Sequence, residues 1–315
     1  MKMKNEMKLA ALIIAGLVAA PVAARGQDER TATQIDTTVR LDRGGSVDLS
    51  IISGRIRVTG WDRSDVKISA TIEDGFLRFS ANSSRVTLSV DDEGRRGHHN
   101  NRIGDARYEV SVPRGARLIL EAVSGDVSAK GSQGEIEASS VSGDVDVSDG
   151  VRAVSVESVS GSAHAAQVNG NLRAETVSGD LRVENVTGDV EASTVSGEIR
   201  LIGIQSKDVR TESVSGSLTY TGTIEPTGRY GFESHSGTIN LNIPRNAGAQ
   251  FSVETFSGGV NADFPITIPP NTRGRNREGH MEFTIGDGRA KVTAQTFSGE
   301  IVINSSGSTT RRNDD

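Results

Sequence analysis

Apolar residues return along this chain at a nearly constant interval, in pairs separated by one residue. Between residues 123 and 216 the tripeptide Val-Ser-Gly occurs six times, and its serines are 18, 18, 18, 18 and 19 residues apart. These serines and the glycines after them are Ser124, Gly125, Ser142, Gly143, Ser160, Gly161, Ser178, Gly179, Ser196, Gly197, Ser215 and Gly216. A fixed period of this length indicates coils that stack on one another, because one coil cannot bury its apolar face alone.

Aligning the coils on their serines shows which positions are apolar in nearly every coil. Three positions after the serine stand Val127, Val145, Ala163, Leu181, Ile199 and Leu218, and two further on stand Ala129, Val147, Ala165, Val183, Leu201 and Tyr220. A second pair of columns begins at Ile136, Val154, Leu172, Val190 and Val209, followed two residues later by Ala138, Val156, Ala174 and Ala192. The i, i+2 spacing predicts β-strands.

The valine before each serine is predicted to form a further column of the core. Its members are Val123, Val141, Val159, Val177, Val195 and Val214. Glycines nine residues apart, such as Gly161 and Gly170, predict corners, because a residue without Cβ adopts positive φ readily. The chain is therefore expected to be all-β: a single-chain parallel β-solenoid, or β-helix, of about 18 residues per coil. Two or three strands should occur per coil, and parallel crossovers favour right-handed winding.

The repeat divides the chain into segments with different expected roles. We expect a β-rich N-terminal cap and first coils over residues 27–120, regular repeats over 121–222, irregular C-terminal coils over 223–304, and a disordered tail over 305–315. The cap segment holds a degenerate repeat, Ile52-Ser53-Gly54-Arg55-Ile56. A cap is expected because an open solenoid end would expose an unpaired strand edge.

The C-terminal segment keeps the Ser-Gly signature but loses the regular interval. Ser236-Gly237, Ser257-Gly258 and Ser298-Gly299 follow the regular array. We expect these to be coils that carry insertions. Within the last insertion, Phe283–Ile285 and Ala290–Val292 flank Gly286-Asp287-Gly288, which predicts a β-hairpin.

The N-terminus and the composition bear on where the chain acts. Lysines precede an apolar run from Leu9 to Ala20 and small residues follow it, so residues 1–26 are predicted to be a secretory signal peptide. The run is short for a membrane span. Cleavage after Gly26 would change the formal charge from −6 to −6 − 4 + 1 = −9. An acidic mature chain argues against a nucleic-acid partner, and the chain has no cysteine for disulfides, lipid attachment or thiolate metal sites.

The repeats resemble a known family. Val-Ser-Gly-Asp-Val stands at residues 123–127 and again at 141–145, and Val-Ser-Gly-Asp-Leu stands at 177–181. Val112-Pro113-Arg114-Gly115, Ile243-Pro244-Arg245 and Val58-Thr59-Gly60-Trp61-Asp62 add to the likeness. These residues are similar to the bacterial "putative adhesin" proteins with β-strand repeats, a domain of unknown function related to head domains of auto-transporter adhesins. The resemblance covers about residues 40–303, implies a surface-binding role, and supplies no catalytic residues.

Candidate chemistry begins with the columns next to the glycines. The serines have no recurring His or Lys base beside them, so bonding to the backbone at a stacked corner is favoured over nucleophilic catalysis. The next column is Asp126, Asp144, Ser162, Asp180, Glu198 and Ser217. Stacked carboxylates could share Ca²⁺, but serines interrupt the column, so a solvated acidic ridge is favoured. No metal and no cofactor is predicted.

Two polar loops depart from the repeat and are the predicted contacts for a partner. Their candidate residues are Arg95, Arg96, His98, His99, Arg102, Arg273, Arg275 and Arg277. Carboxylates at 91–93 leave a metal site at His98 and His99 open as an alternative. Positive loops on an acidic chain would suit an anionic envelope polymer or partner.

Two classes of function remain open from the sequence. The favoured class is an exported, non-enzymatic module, periplasmic or on the cell surface, that binds or scaffolds a cell-envelope polymer or protein. The alternative is a β-helical polysaccharide lyase or hydrolase. Carboxylates and an Arg or Lys that converge in a cleft would favour the enzyme.

Overall fold

In the computed structural model, residues 28–91, 104–265 and 279–306 are described. They form strands, turns and connections, and no helix among them is long and apolar enough to cross a membrane. The strands are β1 (Asp28–Ala32), β2 (Gln34–Arg40), β3 (Ser46–Trp61), β4 (Asp65–Ile72), β5 (Phe76–Ala81), β6 (Arg85–Asp91), β7 (Ala106–Pro113), β8 (Arg117–Lys130), β9 (Ile136–Ser140), β10 (Val145–Ser148), β11 (Val154–Ser158), β12 (Ala163–Ala166), β13 (Leu172–Ser178), β14 (Leu181–Glu184), β15 (Val190–Ser196), β16 (Ile199–Ile204), β17 (Asp208–Ser215), β18 (Leu218–Gly222), β19 (Arg229–Ser236), β20 (Ile239–Pro244), β21 (Ala249–Ser257), β22 (Val260–Ala262), β23 (His280–Ile285), β24 (Ala290–Ser298) and β25 (Ile301–Ser306).

The strands pair into two long ladders, and each regular coil contributes one strand to each. The first ladder runs β1-β5-β6-β3-β8-β9-β11-β13-β15-β17-β19-β24-β21-β23, and the second runs β2-β4-β7-β3-β8-β10-β12-β14-β16-β18-β20-β25-β22. The long strands β3 and β8 pass from one ladder to the other. Buried residues of both ladders belong to one hydrophobic core, so the molecule is a solenoid-like stack of coils.

The register follows the sequence repeat through the middle of the molecule. Val145 pairs with Val127 on one side and with Ala163 on the other, and Val154 pairs with Ile136 and Leu172. The columns that begin at Val127, Ala129, Ile136 and Ala138 therefore point into the core, as predicted. All-β structure with mostly parallel strands is confirmed, whereas right-handed winding stays a prediction.

The valine column before the serines does not lie in the core, and that prediction is wrong. Its six side chains are 43 to 50% exposed. The reason is the alternation of a strand: Ile136, Ala138 and Ser140 point inward, so Val141 points outward. The column that is buried stands one residue earlier and contains Ser140, Ser158, Thr176, Thr194 and Ser213.

A further apolar column was not predicted. Val168, Val186 and Ile204 are buried at a corner, again 18 residues apart. The residue before each of them, Gln167, Asn185 or Gly203, has positive φ. This corner turns the chain from the second ladder back to the first.

The positions of the glycine column require glycine mainly because the backbones of neighbouring coils approach closely there, and less because of their dihedral angles. A Cβ on Gly143 would lie 2.2 Å from the carbonyl oxygen of Gly125, and one on Gly161 would lie 2.2 Å from that of Gly143. The same conflict continues through Gly216, where φ is also +147°. Any side chain would therefore push neighbouring coils apart at this corner.

At the N-terminal end, the degenerate repeat is a true coil. Ser53 and Gly54 of β3 pair with Ser124 and Gly125 of β8. Beyond β3 the ladders end in antiparallel strands, β4 with β2 and β7, and β5 with β1 and β6. At this end, antiparallel strands therefore continue the two parallel ladders, with β1 and β2 as the last strands.

At the C-terminal end, the order of coils in space differs from their order in the chain. Strand β24 pairs in parallel with β19 on one side and β21 on the other, and β25 lies between β20 and β22. The last coil is thus inserted between two earlier ones. The predicted hairpin is wrong: β23 pairs antiparallel with β21, not with β24. Gly286 to Arg289 instead connect β23, on one edge of β21, to β24, on its other edge.

The interior also changes along the stack. The middle coils are filled by Val, Ala, Leu and Ile, but the later coils bury Tyr220, Tyr230 and Phe232. The rings of Tyr220 and Phe232 lie 5.2 Å apart, and the Tyr230 hydroxyl donates to the carbonyl oxygen of Ser206 at 2.6 Å. Burial raises the pKa of Tyr230 to about 12. Strand β25 continues through Ser306, two residues into the segment expected to be a tail.

Candidate functional site

An apolar ridge runs along the edge of the solenoid where the valine column is exposed. Each ridge residue stands immediately before a Ser-Gly pair on the first ladder. In spatial order the edge ridge consists of Val123, Val141, Val159, Val177, Val195, Val214, His235, Phe297 and Phe256. At about 4.8 Å per strand, these nine positions extend over about 38 Å.

The last three positions of the edge ridge are aromatic and stacked. The rings of His235 and Phe297 are 5.0 Å apart and nearly parallel, and those of Phe297 and Phe256 are 4.8 Å apart. Phe256 is 79% exposed and Phe297 is 50% exposed. Large aromatic side chains normally bury most of their surface, so an exposed stack of this kind is typical of an interaction surface.

A groove lies beside the aromatic part of the edge ridge, with a volume of about 1140 Å³. One wall is the edge ridge from Val195 to Phe256, and the other includes the glutamate row, defined as Glu212, Glu233 and Glu254. We call this the end groove. Strand alternation explains the cross-section of the groove. In β17, Glu212 and Val214 both point outward and belong to the two walls, and the backbone at Ser213 between them is the floor.

Two buried hydroxyls lie beneath the end groove. Ser213 and Ser234 are each 6% exposed, and neither Oγ atom has a hydrogen-bond partner among the described residues. Elsewhere in this column, the Ser140 hydroxyl donates to the carbonyl oxygen of Gly125 at 2.9 Å. All three side chains point inward, so these hydroxyls face the interior of the stack and the groove floor is strand backbone.

The glutamate row also lacks partners. No residue of the described segments forms an ion pair or hydrogen bond with the carboxylate of Glu212, Glu233 or Glu254. Glu212 pairs directly with Glu233 across neighbouring strands, and Glu233 and Glu254 both lie beside Gln295. His280 lies opposite Glu254, but its Nε2 contacts Glu282 at 3.7 Å instead. The row therefore presents concentrated negative charge next to exposed rings.

A second groove, of about 1100 Å³, follows the outer face of the first ladder and contains the charged residues most relevant to the enzyme alternative. Arg117 contacts Glu137 at 2.6 Å and Glu135 at 3.6 Å, and Arg173 contacts Glu175 and Glu191. The hydrogen bond that Arg117 donates to the Glu137 carboxylate raises the pKa of the guanidinium.

These pairs do not resemble a hydrolase site. The four carboxylates are 33 to 49% exposed, and each lies against a guanidinium. A general acid must hold a proton near neutral pH, which requires burial or a neighbouring negative charge. Each of these carboxylates is instead exposed and paired with a guanidinium, and the lyase or hydrolase alternative gains no support.

The structure also places the columns for which chemistry was considered. The serines before the glycines are exposed, and backbone N–H groups among them donate to the preceding coil, as in Ser142 N to Val123 O at 2.8 Å. The hydroxyls that bond to carbonyl oxygens at the corner belong instead to the buried column two residues earlier, at Ser140 and Ser158.

In the acidic column, carboxylates accept backbone N–H groups from the next coil: Asp144 from Ser162, and Asp180 from Glu198, each at 2.9 Å. These carboxylates thus close the corner while remaining exposed. Among the described residues no three His, Cys, Asp or Glu side chains form a group that could hold a metal ion. His164 lies 2.8 Å from Asp146. The predicted partner loops, with Arg95, Arg96, His98, His99, Arg102, Arg273, Arg275 and Arg277, lie outside the described residues.

The edge ridge could have been predicted from the sequence by extending the strand alternation. If Ile136 and Ala138 point inward, the next inward position is Ser140, so Val141 must point outward. The aromatic end required more, because the neighbours of Phe297 are set by the insertion of the last coil. No periodicity in the chain indicates that insertion.

The chain is similar to several solved structures at low sequence identity. A "putative cell adhesion protein" of Clostridium sporogenes is 11% identical over 86% of this chain and 99% of its own, with a TM-score of 0.24. A "putative lipid binding protein" of Parabacteroides distasonis is 14% identical over 89% and 97%, with a TM-score of 0.49. A "putative adhesin" of Bacteroides fragilis is 11% identical over 89% and 98%, with a TM-score of 0.34. Likenesses at this level carry no argument about function.

No curated protein matches the chain. A family model does match, over residues 47–304, which runs from β3 to β25 and includes every regular coil. The resemblance drawn from the Val-Ser-Gly repeats is thereby confirmed. The chain belongs to the Toastrack DUF4097 family, a domain of unknown function.

Proposed function

We propose that this chain is an exported, non-enzymatic, adhesin-like module that binds a partner of the cell envelope along its edge ridge. The observation that carries the proposal is the exposure of nine in-register ridge side chains, ending in the stack of His235, Phe297 and Phe256. Contiguous exposed apolar surface at a polar border is typical of protein interaction sites. Solenoids commonly use such extended surfaces for long partners.

The arrangement favours binding over catalysis for a physical reason. Every regular coil repeats the same outward positions, so the surface is long and uniform, whereas a catalytic site needs a few groups that converge on one atom. The irregular chemistry of the described residues is concentrated at the end groove, where aromatic rings rather than acid and base pairs stand out. Aromatic residues are enriched where interfaces concentrate their binding energy.

The test compares a variant of the edge ridge with a control variant that replaces an exposed apolar residue by serine away from the ridge. Phe256→Ser combined with Phe297→Ser removes the exposed rings, and Ile202→Ser removes an exposed apolar side chain on the outer face of the second ladder. We expect retention of the full chain on an envelope fraction from its own cells to fall at least about tenfold for the ridge variant, because its aromatic anchors are lost. The Ile202 variant should bind like the parent.

Two results would overturn the proposal. One is equal retention of the ridge variant and the parent, with circular dichroism showing that both are folded. The other is reproducible turnover of an envelope polysaccharide by the parent chain, since that would return the function to the enzyme class.

A further inference from the structure

The end groove has an acidic wall whose three carboxylates pair with no cation of the described residues. We propose that it binds an extended, cationic amphipathic segment of a polypeptide partner, with apolar side chains on the aromatic stack and Lys or Arg side chains on the glutamate row. This inference rests on the proposed function and specifies the chemistry of the partner.

The apolar wall provides the first argument. Val195, Val214, His235, Phe297 and Phe256 form a continuous row along one side, and their exposure rises toward Phe256. A hydrophobic partner would remove this surface from water, at roughly 25 cal/mol for each Å² of apolar area. Burial alone, however, does not distinguish among apolar partners.

The acidic wall distinguishes among them by charge. Glu212, Glu233 and Glu254 are exposed and have no cation within ion-pair distance among the described residues. Arg210 lies on the side of Glu212 away from the ridge, outside the end groove. In the middle coils the glutamates of the same column do have contacts: Glu175 pairs with Arg173, and Glu157 accepts a hydrogen bond from the Ser155 hydroxyl at 3.3 Å. A row of unpaired carboxylates repels itself, and cationic side chains of a partner would relieve that repulsion.

The floor between the two walls is strand backbone. Ser213 and Ser234 lie there, but their side chains point into the interior of the stack, so the contacts that select a partner come from the apolar wall and the glutamate row. An extended peptide can present apolar and cationic side chains on opposite sides and so reach both walls at once.

The dimensions suit a short segment. The groove follows six neighbouring strands, β13, β15, β17, β19, β24 and β21. Five intervals of about 4.8 Å give about 24 Å, which corresponds to roughly seven residues of extended chain. Alternating cationic and apolar residues would place the two kinds of side chain on opposite sides of such a segment.

The same charges argue against two other occupants. Two copies packed ridge to ridge would bring two glutamate rows together, and like charges across an interface are unfavourable. An anionic membrane or an acidic glycan would meet the same repulsion. A cationic peptide is the occupant whose charge complements the wall.

The experiment measures binding of a labelled seven-residue peptide of alternating Lys and Leu to the full chain by fluorescence anisotropy. Two comparison peptides carry Glu or Ser in place of Lys. We expect binding of the Lys peptide only, weakening as salt rises. Glu212→Gln, Glu233→Gln and Glu254→Gln together should raise its Kd at least about tenfold, equivalent to about 1.4 kcal/mol.

A charge-matched control carries Glu135→Gln, Glu137→Gln and Glu191→Gln, which lie on the same ladder but outside the end groove. It should bind the Lys peptide like the parent. The proposal is overturned if both triple variants lose binding equally, if the Glu or Ser peptide binds as well, or if no peptide binds. Formation of ridge-dependent dimers in sedimentation would also overturn it. None of these results affects the envelope-retention test, so the two proposals fail separately.

Discussion

The middle coils and the C-terminal coils share one strand pattern but differ in their interior side chains, their ridge side chains and their ion pairs. From Ile136 to Ile204 the interior is aliphatic, the edge ridge is valine, and Arg173 and Arg182 pair with neighbouring glutamates. From Asp208 onward the interior contains tyrosine and phenylalanine, and the ridge becomes aromatic at His235. Glu212, Glu233 and Glu254 have no ion-pair partner among the described residues. The repeat therefore specifies the coil, and the departures from it concentrate the surface chemistry at one end.

The difference extends to how the coils depend on one another. In the middle, each coil contacts the preceding and following coils in the chain, so stability should be a sum of neighbour terms. At the C-terminal end, β24 and β25 separate coils that adjoin in sequence. The last segment of the chain thus supports two coils that precede it.

The largest effect is expected from removing that last coil. Deleting residues 290–315 removes β24 and β25, so β21 and β22 lose their parallel partners at once. We expect residues 249–262 to become sensitive to protease and the folded stack to end near β20. Limited proteolysis with mass spectrometry measures this change.

A deletion in the middle is the control for this comparison. Removing residues 163–180 takes out one whole repeat and joins Ser162 to Leu181, which occupies the same column as Ala163. The remaining coils keep their register, so the shortened chain should fold with a modest loss of stability. Equal protease protection of residues 249–262 in the parent and the 290–315 deletion would show that the inserted coil is not required.

The second effect tests the two faces of a single middle coil. Leu181 is 1% exposed and Val177 is 43% exposed, although both are apolar and four residues apart. Leu181→Asp buries an unpaired charge and should lower the free energy of unfolding by several kcal/mol or prevent folding. Val177→Asp should change it by less than about 0.5 kcal/mol, as surface substitutions usually do. Urea denaturation followed by circular dichroism measures both, and similar losses would place Val177 in the core.

Much of the fold follows from the sequence because stacked parallel strands repeat their environment. The columns at Val127 and Ile136 and the pairing of Ser53 with Ser124 could be predicted from period and alternation. The prediction that Val141 lies in the core is wrong. A valine recurs at this position in every regular coil, but recurrence does not decide burial; the alternation of side chains along the strand decides which face each one occupies.

The arrangement of the C-terminal strands depends on which distant segments pair, and the sequence period does not indicate that pairing. Ala290 fits beside Ala249 in a parallel register, and so does Ile285 in an antiparallel one, which is why the hairpin prediction failed. The aromatic stack and the end groove follow from the same choice, because it brings Phe297 between His235 and Phe256. The candidate site was therefore much less predictable than the fold.

The smallest effects concern the charges that distinguish the two regions. Arg173 in the middle contacts Glu191 at 2.9 Å, but its side chain is 50% exposed. Arg173→Ala should therefore lower the free energy of unfolding by only about 0.2 to 1 kcal/mol. At the end, Glu233→Gln removes repulsion from Glu212, so it should raise stability by a few tenths of a kcal/mol.

Chemical denaturation at low and high salt measures both changes. Each should shrink at high salt, because exposed charges are screened over about 8 to 10 Å at physiological ionic strength. If Glu233→Gln instead lowers stability, the glutamate row makes a stabilising contact within the free chain. The contrast between a compensated middle and an uncompensated end would then be wrong, and with it the reason for assigning a cationic partner to the end groove.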